Sequence, residues 1–361
     1  LHYGHLILAE QIRQEANLNL VVFVPAYVNP FKEELPPAAG HHRVEMLRLA
    51  LGDDPNFEIN DIELQKEGPS YTFDTLTALQ EEYGEDVDLF FIMGTDSFLE
   101  LKDWHKAEEL IRNFKFLIGL RRGYDEDKLH KAKKELREKY PLNASYIRIP
   151  ELEISSTEIK KLIRDGRSVK FLMPESVIEY IDINDLYLDF TGRLREYAKR
   201  NQTALRFAHT VGVVKAAKEL AARFGADPRK AEIAAWFHDA CRAEGDLEHG
   251  KLAAAKLTEL FGVEDEDILN AIRYHTTGRP GMSLLEKVIK IADTIEENRD
   301  YPGVDEMRRM ARSEDIDRCL YKLMEHTKKY VKDRSRAYDP LSQEAMDWLR
   351  EEMKSGGKDE E

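Results

Sequence analysis

Cysteine is nearly missing from this chain: Cys241 and Cys319 are the two thiols among 361 residues. They stand far apart and outside any C-x-x-C spacing, which excludes a disulfide framework or a cysteine-built zinc site and fits thiols in a reducing cytoplasm. Long apolar runs are missing too. None approaches the roughly 20 residues that a membrane-spanning helix requires. Basic charge is also scarce, with 69 Asp+Glu against 54 Lys+Arg and a formal net charge of -15. Proteins that hold nucleic acid or anionic membranes usually carry a basic field. Neither partner is expected here, although a local basic pocket for a small phosphate ligand remains compatible. Oligomeric state is not legible from composition.

What the chain does contain is enough apolar residue, 42%, and enough charge, 34%, for cores inside solvated surfaces. Its length suits two or three domains of roughly 100–200 residues each. Up to about Asp185, apolar runs of strand length, "NLVVFVPAY" (19–27), "DLFFIMG" (88–94) and "FKFLIGL" (114–120), alternate with helical stripes such as "TFDTLTALQEEYG" (72–84) and "WHKAEELIRNF" (104–114). Continuous apolar runs read as strands buried on both faces of a parallel sheet. The expectation is an α/β Rossmann-like domain. Beyond "DINDLYLDF" (182–190) the strand-like runs stop. The segments 203–225, 228–240, 266–275 and 283–299 carry 3.6-period apolar stripes and predict an all-helical bundle. The Gly-rich, charged end "KSGGKDEE" reads as a disordered tail.

In the helical half, His209 falls mid-helix, "FHDAC" sets His238 beside Asp239, and Asp293 interrupts the apolar "VIKIADTIEE". His249 and His275 add two more imidazoles. Aspartate is seldom buried unless it is paired or metal-bound. Imidazole and carboxylate together suit a first-row divalent ion, whether Fe, Mn, Zn, Ni or Co. Adjacent His and Asp project about 100° apart on a helix, so they can grip one ion or let the carboxylate bridge two. This ordered set resembles the HD-domain metal phosphohydrolases. The stretch 271–308, with "HTVGVVKAAKELAARFGAD" and "KAEIAAWFHD", is similar more narrowly to the HD-domain symmetrical diadenosine-tetraphosphate hydrolases. That resemblance implies His209, His238, Asp239 and Asp293 as metal ligands, with His249 and His275 completing a site for one or two iron ions. It makes Asp239 a catalytic residue as well, and two molecules of ADP the product. Arg273, Thr276, Thr277 and Arg279 are then candidates to hold the polyphosphate. Nine residues separate Asp239 from His249, fewer than is usual in that family, and Arg242 replaces its customary Lys.

The first half opens on "HYGH", which puts His2 and His5 on one helix face at a first turn, where free backbone N–H groups attract anions. "ISSTEIKKLIRDGRS" (154–168) offers a second helix start, and its Ser155-to-Glu158 spacing equally fits an ordinary capping box. Together they resemble the nucleotidylyltransferase superfamily. "FFIMGTDSFLELKDWHKAEELI" (90–111) and "GPSYTFDTL" (68–76) are similar to one branch, the nicotinate-mononucleotide adenylyltransferases. The resemblance implies adenylyl transfer from ATP, with Mg2+, to nicotinate mononucleotide. His2 and His5 would be catalytic and, with Gly4, Asp96, Ser155, Ser156 and Thr157, would bind ATP. Lys32, Tyr71, Thr72 and Trp104 would hold nicotinate mononucleotide, and Arg43 is a further phosphate candidate. Lys160 stands where that family usually has Arg.

The resulting expectation is an adenylyltransferase-like domain at 1–185, a linker at 186–196, an HD-domain phosphohydrolase at 197–352 and a disordered tail at 353–361, in a cytoplasmic protein acting on nucleotides. Two alternatives stay open for the helical half: a nucleotide-sensing regulatory module, or a phosphohydrolase with another nucleotide substrate. The adenylyltransferase family precedes H-x-G-H with a strand and a "GGTFDP"-like loop, and Leu1 fits the position just before the first histidine. A missing N-terminal segment and weak adenylyl transfer by the chain as it stands are therefore expected.

Overall fold

In the computed structural model, described for all residues except 28–37, 67, 121–124, 151–153, 243–247, 336 and 356–361, the chain divides into two units, Leu1–Tyr187 and Leu188–Glu361. The first alternates helix and strand: α1 (Tyr3–Glu15), β1 (Val21–Phe23), α2 (Gly40–Leu51), β2 (Phe57–Ile59), α3 (Thr72–Tyr83), β3 (Phe90–Gly94) and α4 (Thr95–Glu100). There follow α5 (Ala107–Asn113), β4 (Lys115–Leu120), α6 (Glu126–Lys139), β5 (Ala144–Arg148), α7 (Ser156–Arg164) and α8 (Glu175–Ile183). All pairings are parallel, β1 with β2 and β3-β4-β5 in that order, with Phe90 opposite Lys115 and Phe116 opposite Ala144.

Strand β4 shows why the expected two-sided burial holds. Phe116, Ile118 and Leu120 enter a cluster with Leu76, Leu110 and Leu129, while Leu117 meets Ile12 and Ile149. Side chains alternate faces along a strand, so only an uninterrupted apolar run can cover both. Gly119 lets α1 come close: a Cβ there would lie 2.6 Å from Leu8 Cδ1 and 3.1 Å from Ile149 Cδ1.

Two elements are shorter than expected. The run 19–27 keeps only Val21–Phe23 as strand. Pro25 comes two residues after its end and has no N–H to offer a ladder. The helix expected from Trp104 starts at Ala107, after a 3-10 turn at Leu101–Asp103. Lys106 takes a left-handed conformation (φ 50) and pairs with Asp74 at 3.1 Å.

Among the described residues the second unit's regular elements are all helices: α9 (Phe190–Asn201), α10 (Ala204–Phe224), α11 (Pro228–Phe237), α12 (His249–Phe261), α13 (Glu266–Arg273), α14 (Leu284–Ile295), α15 (Val304–Ser313), α16 (Ile316–Asp333) and α17 (Pro340–Ser355). Side-chain caps start the helices: Thr203 on α10, Asp227 on α11, Asp265 on α13, and a full capping box of Ser283 and Glu286 on α14. Each such cap satisfies N–H groups that a helix start leaves open, for about 1 kcal/mol. One core runs through the bundle from Leu194 to Leu349. Residues 190–196, expected as linker, belong to α9, because Asp189 caps that helix and Leu194 is fully buried. Residues 353–355 of the expected tail continue α17, and 356–361 lie outside the described residues. Among the described residues no helix is long and apolar enough to cross a membrane.

Both thiols are buried, and burial pushes Cys319 up to about 11. The thiolate is the reactive form. Neither cysteine should label with a thiol reagent at pH 8 in the folded protein, and both should label in denaturant. Fast labelling of the native chain would contradict this packing.

Candidate functional site

In the second unit, helix ends and turns converge on one buried spot. His209 lies within α10, where Thr210, Val213 and Ala217 bury the same stretch in the core. The His238–Asp239 pair was expected within a helix. It stands instead just past α11, where the chain tightens: Phe237 O accepts from Ala240 N (3.1 Å) and Asp239 O from Arg242 N (3.2 Å). His275 likewise sits in the turn after α13, and His249 opens α12. Lys290 fixes the His275 turn from below, its Nζ donating to the carbonyls of Thr276 (2.6 Å) and His275 (3.3 Å). Burial pulls that ammonium down to about 8.

The two oxygens of Asp239 face opposite ways. Oδ2 lies 3.7 Å from His209 Nε2 and 3.6 Å from His238 Nε2. Oδ1 lies 3.1 Å from His249 Nε2 and 3.6 Å from His275 Nε2. The last two nitrogens are themselves 3.0 Å apart. Asp293 Oδ1 joins the first group, 3.1 Å from His209 Nε2 and 3.9 Å from His238 Nε2. The structure thus gathers His209, His238, Asp239, His249, His275 and Asp293, all six residues the sequence singled out. Two candidate ligand sets share Asp239: His209 with His238, and His249 with His275.

These residues fit a metal ion by their chemistry. Among the described residues, the buried Nε2 atoms of His209 and His238 find no well-aligned hydrogen-bond partner, although carboxylate oxygens lie near both. Their Nδ1 atoms are engaged, His238 with Ala235 O (2.7 Å) and His209 with Glu296 Oε1 (3.1 Å). His275 Nδ1 meets Ile272 O in the same way at 2.7 Å. Engaging Nδ1–H leaves a lone pair on Nε2, aimed inward, which is how metal-binding imidazoles are usually held. Burial drives His238 down to about 4, against the pull of neighbouring Asp239, so it stays neutral as a ligand must. Burial alone would raise the Asp239 carboxyl, but His238, His249 and His275 outweigh it and hold the group below the usual carboxylate range. Asp293 is lowered as well, its burial overcome by His209 and Arg299.

Three arginines stand against this cluster. Arg206 Nη1 is 2.7 Å from Asp239 Oδ2, Arg299 Nη2 is 2.7 Å from Asp293 Oδ1, and Arg242 Nη1 is 3.1 Å from His249 Nε2. The sequence reading missed Arg206 and Arg299, although Arg206 lies three residues before His209 and hence on its helix face. It also missed Glu296, one turn after Asp293. The expected polyphosphate residues divide. Thr276 Oγ1 lies 3.1 Å from His275 Nε2, at the cluster, and Thr277 is its half-buried neighbour. Arg273 donates instead to Glu266 (2.6 Å) and Asn270 (2.9 Å). Arg279 grips Glu286 with two bonds, at 2.7 and 2.9 Å. Both guanidinium groups are taken up by carboxylates of their own helical surroundings.

In the first unit, the His2 ring is buried and stacks on the exposed ring of His5, centroids 3.9 Å apart. Gly4 makes room for this: a Cβ there would sit 2.9 Å from the His2 ring and 3.8 Å from Ile154 O. The start of α1 therefore lies beside the start of α7, bringing "HYGH" and "SST" together. Ser155 caps α7 by accepting from Glu158 N (3.1 Å), and Ser156 and Thr157 form its first turn. Asp96 is exposed in the first turn of α4. Beside it, Thr95 Oγ1 donates to Gly119 O (3.1 Å) at the carboxyl ends of β3 and β4. Tyr71, which precedes Thr72 at the start of α3, lies tilted against His105 with ring centroids 4.1 Å apart, and Trp104 packs edge-on to Phe91 at 5.8 Å. Arg43 spends its donors on the carbonyls of Ala26, Tyr27 and Ala38. Lys32 lies outside the described residues.

With this geometry in view, comparison with known proteins identifies the class of each unit. Residues 1–162 match the cytidylyltransferase-like family and residues 206–298 the HD domain, so the chain fuses a parallel-sheet nucleotidylyltransferase domain to a helical HD domain. Through its first half the chain belongs to the nicotinate-nucleotide adenylyltransferase family. It is 38% identical over 187 residues to the "Probable nicotinate-nucleotide adenylyltransferase" of a Thermoanaerobacter species, which is 52% of this chain and 89% of that protein. The nicotinate-nucleotide adenylyltransferase of Bacillus subtilis is 35% identical over 186 residues, 52% of this chain and 92% of its own. A crystal structure from Clostridium acetobutylicum, described as a "predicted HD superfamily hydrolase involved in NAD metabolism", is 34% identical, with a TM-score of 0.41, over 44% of this chain and 96% of its own.

The buried imidazole sets a pH dependence. An unfolded histidine titrates near ~6.5, and His238 does so at about 4 when folded. Between those values the unfolded chain binds the extra proton, so stability of the second unit rises with pH across that window. Denaturant titrations of metal-free protein between pH 4.5 and 7 should show this slope, and His238→Gln should flatten it. A wild-type profile that is flat or inverted would contradict the assignment.

Proposed function

We propose that the chain is a bifunctional nucleotide enzyme acting in the cytoplasm. Its first unit transfers an adenylyl group from ATP to nicotinate mononucleotide, giving deamido-NAD and pyrophosphate. Its second unit is a divalent-metal phosphohydrolase that splits diadenosine tetraphosphate symmetrically, with one water, into two ADP. The observation that carries the second activity is the division of Asp239, one oxygen toward His209 and His238 and the other toward His249 and His275. The first activity rests on family membership and on the meeting of the two helix starts at Gly4.

In the second unit, His209, His238, Asp239 and Asp293 would hold one ion and Asp239, His249 and His275 another. A divalent ion bound there, iron on the family resemblance, supplies phosphoryl polarisation and an activated water. The chain's own residues do the rest. Arg206, Arg242 and Arg299 bring positive charge to the cluster, where phosphoryl oxygens carry the opposite sign. The Thr276 hydroxyl and its neighbour Thr277 add neutral hydrogen-bonding groups at the rim. Burial of the imidazoles keeps bulk water out and strengthens each of these interactions.

In the first unit no side chain serves as nucleophile. The phosphate of nicotinate mononucleotide attacks the α-phosphorus of ATP, and pyrophosphate leaves, with Mg2+ arriving as part of the ATP substrate. His2 and His5 at the start of α1, and Ser155, Ser156 and Thr157 at the start of α7, stabilise the charge on the phosphates. Asp96 holds the nucleoside. Tyr71 and Trp104 offer aromatic faces to the nicotinate ring, with Thr72 and Lys32 as polar contacts.

The test assays both reactions on metal-loaded protein. Replacing His238 and Asp239 together by Ala should abolish ADP formation, a larger loss than the roughly 10–100-fold that removing an outer partner of a ligand costs. Adenylyl transfer should stay at its wild-type rate. Hydrolysis of another nucleotide but not diadenosine tetraphosphate would overturn the substrate. Undiminished hydrolysis with altered adenylyl transfer would make the helical half a regulator.

A further inference from the structure

Glu296 is an acid with almost no access to water, 2% exposed, at the end of α14. Its Oε1 lies 3.1 Å from His209 Nδ1. Its Oε2 accepts from Asn298 N (2.7 Å) and Asn298 Nδ2 (3.1 Å), and the same Nδ2 reaches across to Ala208 O on α10 (3.2 Å). The turn that carries Glu296 is clamped from behind. Arg308, on α15, donates to the carbonyls of Ile295 (2.9 Å), Glu296 (2.7 Å) and Arg299 (2.8 Å). Arg299, at the end of the same turn, bonds both the carbonyl (2.9 Å) and the carboxylate (2.7 Å) of Asp293.

The space for this carboxylate is made on the facing helix. Gly212 stands one turn after His209 on α10, and a Cβ there would collide with Glu296 Oε2 and come within 3.3 Å of Asn298 Nδ2. Its backbone is ordinary helix, where alanine would be the better residue on propensity alone. The glycine therefore answers to the carboxylate and not to the helix.

We propose that Glu296, seated against Gly212, is the positioning residue of the metal centre: it holds His209 with Nδ1–H toward itself and the Nε2 lone pair toward Asp239 and Asp293. The inference rests on the metal-centre reading given above. A carboxylate behind a ligating imidazole fixes its tautomer and ring plane and raises its basicity. Here the carboxylate is itself fixed by Asn298, and the backbone that carries it by Arg308. The arrangement of His209 is thus built into the contact between α10 and the turn after α14.

Titration of the metal-free full-length chain with Co2+ alone, followed by its visible absorption, tests this without reference to any substrate. Gly212→Ala should weaken Co2+ binding by about 10–100-fold, as should Glu296→Ala. The double variant should bind no worse than Glu296→Ala, since the alanine at 212 then has nothing to displace. Glu296→Gln keeps the shape without the charge and should fall between wild type and Glu296→Ala, which covers the case in which Gly212→Ala does not fold. Wild-type affinity in Gly212→Ala or in Glu296→Gln would overturn the proposal, as would losses in the double variant that multiply. A wild-type chain that binds no Co2+ would overturn the metal-centre reading beneath it, a result distinct from tight binding that ignores position 212.

Discussion

Asp239 carries its carboxylate, only 3% exposed, into a space walled by four imidazoles. Burying a charge is costly unless partners replace the lost water, and the second unit is arranged around supplying them. Arg206 reaches in from α10, one turn before His209. His238 comes from the turn after α11, His275 from the turn after α13 and His249 from the start of α12. The capped helix starts and the apolar core keep those helices in place, so that side chains far apart in sequence meet within 4 Å.

Much of this was legible in the sequence, for reasons that can be named. Two-sided strands need continuous apolar runs, and 114–120 supplies one; a bundle needs 3.6-period stripes, and α10 and α14 supply them. The aspartate inside "VIKIADTIEE" was conspicuous because an apolar stripe does not normally tolerate one. What stayed hidden depends on how helices approach each other. Glu296 lies beyond the stripe on a turn, and its importance comes from a glycine on a different helix. Arg206 looked like any surface cation until α11 ended beside it. Arg273 and Arg279 had the right chemistry for phosphate, but Glu266 and Glu286 lie within reach of each and take it first.

The same limit acted on the boundaries. A capping aspartate at 189 and an apolar residue at 194 were enough to turn an expected linker into α9. His238 and Asp239 were expected within a helix; α11 ends at Phe237, yet His238 keeps helical backbone angles, and the two oxygens of Asp239 still face different pairs of imidazoles. A site that shares a ligand in this way cannot have its halves tuned separately: any change in the charge drawn to one side of Asp239 is felt on the other.

In the first unit, the contact of Gly119 with Leu8 links strand to site. The methyl of Leu8 rests where a side chain on β4 would begin, and His5 lies less than one turn further up α1. Gly119, next to last in β4, thus governs how near the helix that carries the two histidines can come to the strand. Any side chain at that point would have to displace the methyl of Leu8, and a shift of α1 made to accommodate it would carry both imidazoles along without touching either.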